Sequence, residues 1–113
     1  MVKKVKPVIE KSIIEKINKF VERVKKEGIR IDKIILYGSY ASTTPNKDSD
    51  IDVAIISKDF GKDTVEEGMF LFKVAGEIDS RIEPVPLSVK AYKENTWIPL
   101  IYEIRTKGIE IDL

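Results

Sequence analysis

The chain contains 113 residues, which is the size of one ordinary domain, so we expect residues 1–113 to fold as a single domain. Its 20 Lys and Arg balance 19 Asp and Glu, and the net charge of +1 argues against direct binding to nucleic acid or to an anionic membrane. The absence of Cys excludes thiolate nucleophiles and cysteine-held metals, and the absence of His excludes the commonest general base. Chemistry in this chain must therefore use carboxylates, hydroxyls, Lys, Arg or a metal ion held by oxygen atoms.

The composition also bears on the cellular setting. No segment contains the about 20 consecutive apolar residues that a membrane span requires. The charged residues 1–7 are not followed by the apolar segment of a signal peptide, and the lack of Cys fits a reduced, cytoplasmic compartment. Charged residues make up 35% of the chain and Gln is absent, a composition that is typical of thermophile proteins and that ordinary solubility explains equally well.

The first half of the chain predicts one helix followed by two strands. Residues 7–27 form an amphipathic helix, because apolar side chains recur there at intervals of three and four, and Gly28 ends it. The β-branched runs at 31–37 and 50–57 predict two buried strands. A turn-rich stretch lies between the two strands.

The second half continues the alternation. A helix is predicted at 63–79, where an acidic capping residue precedes an apolar run. The third strand, at 81–88, contains two prolines, which indicate the edge of a sheet. A last helix at 98–106 and a short strand at 108–112 complete the chain. This pattern favours the α/β or α+β class, with a small mixed sheet flanked by helices.

Two acidic residues in the second strand are the first candidate site. Asp50 and Asp52 lie two residues apart, so both carboxylates project from the same face, while Ile51 and Val53 point into the core. Adjacent carboxylates repel each other unless one is protonated or a cation lies between them. Oxygen ligands of this kind suit Mg²⁺, which one or two carboxylates and the phosphates of a substrate usually hold.

The turn after the first strand is the second candidate site. Gly38 and Ser39 can open a short helix whose free backbone N–H groups point at an anion. Gly38 also allows a ligand to approach the backbone closely. An anion-binding turn beside a carboxylate metal site is the minimum that a protein needs to handle a nucleoside triphosphate.

These residues resemble the signature of a known family. Gly38 and Ser39, ten intervening residues, and the Asp-x-Asp formed by Asp50 and Asp52 are similar to the Gly-Ser…Asp-x-Asp motif of the DNA polymerase β-like nucleotidyltransferase superfamily. The small size and the flanking strands resemble its minimal members. The resemblance covers most of the chain from residue 31 to residue 111.

The resemblance implies a third carboxylate on a neighbouring strand. Glu83 is the best-placed candidate, and Asp79 is the second, although it falls at a helix end where solvated charges are common. Together Asp50, Asp52 and Glu83 would hold two Mg²⁺ ions, and Glu83 would also act as general base. The simplest alternative is that Glu83 is an exposed charge on an edge strand.

The resemblance also implies the reaction and the partner. Backbone N–H groups at Gly38 and Ser39 would bind the β- and γ-phosphates of ATP, and AMP would pass to a hydroxyl on a partner protein. Many minimal members act as the antitoxin of a helical HEPN-type toxin. Where many members carry Arg-Gly, this chain has Ser42 and Thr43, and Lys47 is the candidate that would neutralise the phosphates instead.

Other functions remain open at this point. A non-catalytic module that keeps this fold could neutralise a partner by contact alone, and the missing Arg-Gly pair favours it. A protein that binds RNA through its basic first helix has only local charge in its favour. Two apolar segments, 69–75 and 97–104, exceed what one buried face can use, so we expect a homodimer or, slightly favoured, a complex with a helical partner.

Overall fold

The computed structural model describes residues 9–42 and 48–112. Four α-helices, four strands and one 3₁₀ turn lie within these ranges. In chain order they are α1 (Lys11–Lys26), β1 (Ile31–Tyr37), the 3₁₀ turn (Gly38–Ala41), β2 (Ile51–Ser57), α2 (Thr64–Ile78), β3 (Ile82–Ser88), α3 (Val89–Glu94), α4 (Pro99–Lys107) and β4 (Ile109–Ile111). None of the helices in the described part of the chain combines the length and the apolar character that a bilayer crossing requires.

The four strands form one mixed sheet in the order β3-β2-β1-β4. β1 runs antiparallel to both β2 and β4, whereas β2 and β3 are parallel. The prediction of a small mixed sheet flanked by helices is confirmed. β3 lies at the edge, as Pro84 and Pro86 indicated, because a proline cannot donate a backbone hydrogen bond to a second neighbour.

Different helices cover the two faces of the sheet. Ile34 and Leu36 point to the face that α1 and α2 cover, where they join the larger core cluster. Ile35 and Tyr37 point to the opposite face, where they pack with Ile104 of α4 in a second cluster. Side chains alternate between faces along each strand, so the position of a residue in its strand decides which helices it meets.

The observed elements differ from the predicted ones in a few places. The first helix begins at Lys11, and part of the predicted range (residues 7 and 8) lies outside the described residues. β2 and β3 each begin one residue later than predicted. α3 was not predicted, because its six residues are too few to show a helical periodicity; its cap is Ser88, whose Oγ accepts a hydrogen bond from the Ala91 N–H at 3.0 Å.

Candidate active site

The acidic residues lie at one end of the central strands. The register pairs Asp52 of β2 with Tyr37 of β1 on one side and with Glu83 of β3 on the other. These three side chains therefore form one row across three neighbouring strands. Ala54, two residues after Asp52, packs in the second core cluster, together with residues of α3 and α4. The row therefore lies on the face of the sheet that α3 and α4 cover. Asp50 immediately precedes β2.

Asp52 lies in a strongly negative environment. Burial raises the pKa of its carboxyl group, and the charges of Asp50, Glu83 and Glu103 raise it further. Burial also raises the pKa of Tyr37, again with contributions from acidic neighbours, of which Asp52 is the largest. Among the described residues, the charges that shift the pKa of Asp52 are all acidic, and a bound cation would be stabilised by such an environment.

Glu103 is a member of this site that sequence reasoning missed. It lies on α4 immediately before Ile104, which packs against the same face of the sheet as Tyr37. Its charge acts on both Asp52 and Tyr37. The available signal was an acidic residue inside the apolar segment 97–104, but the sequence does not show which side of α4 faces the sheet.

The glycine after β1 lies directly against the Asp52 carboxylate. Gly38 has a φ of +71°, and a Cβ atom at this position would overlap Oδ2 of Asp52. Gly38 is the first residue of the expected short helix, the 3₁₀ turn, which Ser42 closes by donating from its Oγ to the Ser39 carbonyl at 2.7 Å. Ser39 itself is exposed. The turn thus brings the Gly38 backbone next to the Asp52 carboxylate.

Part of the predicted phosphate-contacting segment falls outside the described residues. Thr43 and Lys47 both belong to residues 43–47, of which the structure gives no description. The structure does place Tyr40 of the 3₁₀ turn: its ring is buried in the cluster on the α1 and α2 face. Its hydroxyl accepts a hydrogen bond from Arg81 Nη1 at 3.4 Å, which links the turn to the start of β3.

Asp79, the second candidate for the third carboxylate, belongs to an ion-pair network. Its carboxylate contacts Lys16 of α1 at 2.7 Å and Arg81 at 3.2 Å, and it accepts a further hydrogen bond from the Arg81 backbone N–H. The side-chain hydrogen bond from Arg81 is the largest cause that lowers the pKa of Asp79, and Lys16 adds to it. With these partners Asp79 joins α1 to the α2–β3 connection, whereas Glu83 is exposed beside Asp52.

We expect Asp79→Asn to lower the free energy of unfolding by about 2 kcal/mol at neutral pH, because charge-assisted hydrogen bonds are lost. The pKa of Asp79 in the folded protein is lower than its unfolded value of about 3.9, so its contribution is complete above that value and is lost as the pH falls through the folded pKa. Urea unfolding should therefore show a difference between wild type and variant that shrinks in acid. Asp32→Asn, at an exposed position of β1, is the control and should change little; an equal loss in that variant would contradict the assignment.

The carboxylates fit Mg²⁺ by their chemistry, although they do not form a complete cage. Among residues 9–42 and 48–112, no three acidic side chains are close enough to form a ready-made metal centre. Mg²⁺ does not require one, because it commonly binds one or two carboxylates and takes further oxygens from water and from substrate phosphates. The donor set around Asp52 consists of such carboxylates, and their mutual repulsion would fall when a cation binds.

Known proteins resemble this chain in sequence and in fold. A protein of Methanocaldococcus jannaschii with the name "Putative protein adenylyltransferase MJ0141" is 28% identical over 99 residues, which cover 88% of this chain and 95% of that protein. A "putative nucleotidyltransferase" from Sulfolobus solfataricus superimposes with a TM-score of 0.62 at 17% identity, covering 88% of this chain and 78% of the other. A chain of the toxin-antitoxin MntA-HpeT structure superimposes with a TM-score of 0.55 at 23% identity, covering 82% and 69%.

The solved structures share the fold, and the family assignment comes from the sequence. The family model for polymerase beta nucleotidyltransferases matches residues 15–112. This match includes all four strands, the turn at Gly38 and the acidic residues at the start of β2. The chain therefore belongs to the polymerase beta family of nucleotidyltransferases.

Proposed function

We propose that this nucleotidyltransferase uses Mg²⁺ to transfer AMP from ATP to a hydroxyl group on a partner protein. The observation that carries the proposal is the pairing of Asp52 with Glu83 in the row across the sheet. Asp50 lies two residues before Asp52, and the Gly38 backbone lies against the Asp52 carboxylate. Asp50, Glu83 and Glu103 raise the pKa of Asp52, and a divalent cation would stabilise the ionised form of that carboxyl group. The Gly38 backbone beside these carboxylates suits the phosphates of a nucleotide, which Mg²⁺ accompanies.

The carboxylates and the turn have different roles in the proposed reaction. Asp50, Asp52 and Glu83 would hold the metal, two ions in the complete site, and the bound metal would neutralise the triphosphate and make the acceptor hydroxyl more acidic. Backbone N–H groups of Gly38 and Ser39 would bind the β- and γ-phosphates.

The transfer itself is an in-line displacement. The acceptor oxygen would form a bond to the α-phosphorus while the bond to pyrophosphate breaks, and the hydroxyl proton would pass to Glu83. Glu83 suits this role because it is exposed on the edge strand, where an acceptor can approach.

A protein acceptor is supported by three separate observations. The relative from Methanocaldococcus jannaschii is named as a protein adenylyltransferase, and one structural neighbour comes from a toxin-antitoxin complex. On this chain Trp97, Leu100 and Tyr102 expose 78%, 39% and 58% of their surface. They lie in or beside α4, the helix that covers the carboxylate face of the sheet. A helical partner of the HEPN type bound there would supply both the second wall of the site and the acceptor hydroxyl.

The role of Glu83 can be tested by transfer from ATP labelled at its α-phosphate to a co-expressed helical partner of the HEPN type. We expect Glu83→Gln to lower the rate by about a hundredfold or more, since it removes both a metal ligand and the general base. Asp79→Asn should retain transfer at temperatures at which it is folded. Glu22→Gln, on the exposed side of α1, is the matched control and should behave as wild type.

Two outcomes would contradict the proposal in different ways. Full activity in Glu83→Gln would exclude Glu83 as the third carboxylate while leaving the transferase assignment in place. Tight binding of the partner with no transfer of label and no pyrophosphate release by the wild-type protein would instead favour the non-catalytic module that neutralises its partner by contact.

A further inference from the structure

Helix α2 exposes an apolar stripe that its own core does not use. Val65, Met69 and Phe72 expose 71%, 69% and 62% of their surface. Their spacing of four and three residues places all three on one side of the helix. Gly76 continues the same stripe one turn later. The opposite side of α2 carries Leu71, Val74 and Ala75, which are buried against the sheet and α1. The stripe therefore points away from the rest of the chain.

This stripe is far from the chemistry. α2 covers the face of the sheet that carries Ile34 and Leu36, whereas the Asp52 row lies on the other face. A partner on the stripe could not form the second wall of the active site. An acceptor protein bound at the active site would therefore leave the apolar surface of α2 uncovered.

The charged residues beside the stripe would be complementary between two antiparallel copies of α2. Glu66 and Lys73 are separated by seven residues, so they lie on the same edge of the stripe, two turns apart. Both are exposed, and neither forms an ion pair within the described ranges. If two copies of α2 pack antiparallel about a two-fold axis between Met69 and Phe72, Glu66 of each copy lies near Lys73 of the other.

The shapes along the stripe match the same arrangement. Met69 of one copy would pack on Phe72 of the second copy, and a thioether against an aromatic ring is a favourable contact. Val65 would lie opposite Gly76. A Cβ atom added to Gly76 would meet no atom within 4 Å, so this position is open and can receive the valine side chain. Large residues thus oppose large ones in the centre, and a large residue opposes a small one at each end.

We propose that α2 is a homodimerisation surface on which a second copy of this chain binds antiparallel about a two-fold axis. The 15-residue helix is about 22 Å long, so the interface falls at the small end of specific interfaces, and we expect a dissociation constant in the micromolar range. The two carboxylate sites of the dimer would face outward, each free to meet its own acceptor. This inference does not depend on the transferase chemistry.

Sedimentation velocity over a concentration series of the full chain tests the dimer. Wild type is expected to shift from monomer to dimer with increasing concentration, and Phe72→Glu is expected to remain monomeric. Tyr102→Glu is the matched control, because it places the same charge at an equally exposed aromatic residue on α4; it should dimerise as wild type does. A wild-type protein that stays monomeric to millimolar concentration, or a dimer that Phe72→Glu leaves intact, would overturn the proposal.

Charge reversal distinguishes this geometry from any other occupant. Glu66→Lys and Lys73→Glu should each weaken the dimer by about tenfold, because each turns two attractive pairs into two repulsive ones. The double variant Glu66→Lys/Lys73→Glu restores opposite charges and should recover most of the affinity. The melting temperatures of the variants confirm that α2 remains folded. If the double variant is no tighter than the single ones, or if the stripe is needed only to bind a different protein, the antiparallel homodimer is excluded.

Discussion

Asp52→Asn is expected to lower nucleotidyl transfer by about a thousandfold and, in the absence of metal and nucleotide, to raise the melting temperature by a few degrees. The loss of transfer follows from the removal of a central metal ligand. The gain in stability follows from the environment of the carboxyl group. Burial and the charges of Asp50, Glu83 and Glu103 raise the pKa of Asp52 in the folded protein.

The raised pKa of Asp52 makes its ionised carboxylate destabilising at neutral pH. A carboxyl group whose folded pKa lies above its unfolded value opposes folding at neutral pH, because ionisation costs more in the folded state. Asparagine has nearly the same shape and carries no charge, so the cost disappears. Sites that assemble uncompensated charge for catalysis commonly sacrifice stability in this way.

The experiment combines a thermal melt with the transfer assay. Wild type should gain stability when Mg²⁺ and ATP are added, as any protein does when a ligand binds only its native state, and Asp52→Asn should not respond. Asp32→Asn changes the net charge equally at an exposed position of β1 and should resemble wild type in both assays. If Asp52→Asn lowers the melting temperature of the ligand-free protein, the carboxylate is already compensated and the proposed cation site is wrong.

Local features of the sequence predicted the parts of the fold that depend on interactions between residues close together in the chain. The alternation of Ile51 and Val53 with Asp50 and Asp52 predicted both a strand and the face of its acidic residues. The two prolines of β3 predicted the edge of the sheet. These predictions succeed because strand periodicity and proline chemistry act within a few residues.

The features that local sequence patterns could not predict depend on contacts between residues far apart in the chain. The row of Tyr37, Asp52 and Glu83 exists because β1 and β3 align with β2 in one particular register, which no local pattern specifies. Glu103 reaches the site only because α4 packs across the sheet. Asp79 is tied to Lys16, 63 residues away in the chain, a partner that its helix-end position did not reveal.

Substitution of Gly38, in the 3₁₀ turn, is the second change for which we expect a large effect on stability and transfer. Gly38→Ala is expected to lower the free energy of unfolding by about 1–2 kcal/mol, because an L-residue is strained at a φ of +71°. It is also expected to lower nucleotidyl transfer by about a hundredfold, because the new Cβ atom overlaps Asp52 Oδ2 and must displace the carboxylate. A transfer assay on the folded variant separates the two effects.

Gly28→Ala isolates the contribution of that overlap. Gly28, which follows α1, has a similarly positive φ of +88°, but a Cβ atom there would meet nothing within 4 Å. Its alanine variant should therefore suffer a comparable loss of stability and keep normal transfer below its melting temperature. Equal activity of the two variants would mean that the position of the Asp52 carboxylate does not matter for the reaction. A loss confined to Gly38→Ala would instead show that the close approach of the Gly38 backbone is what holds this carboxylate in its working position.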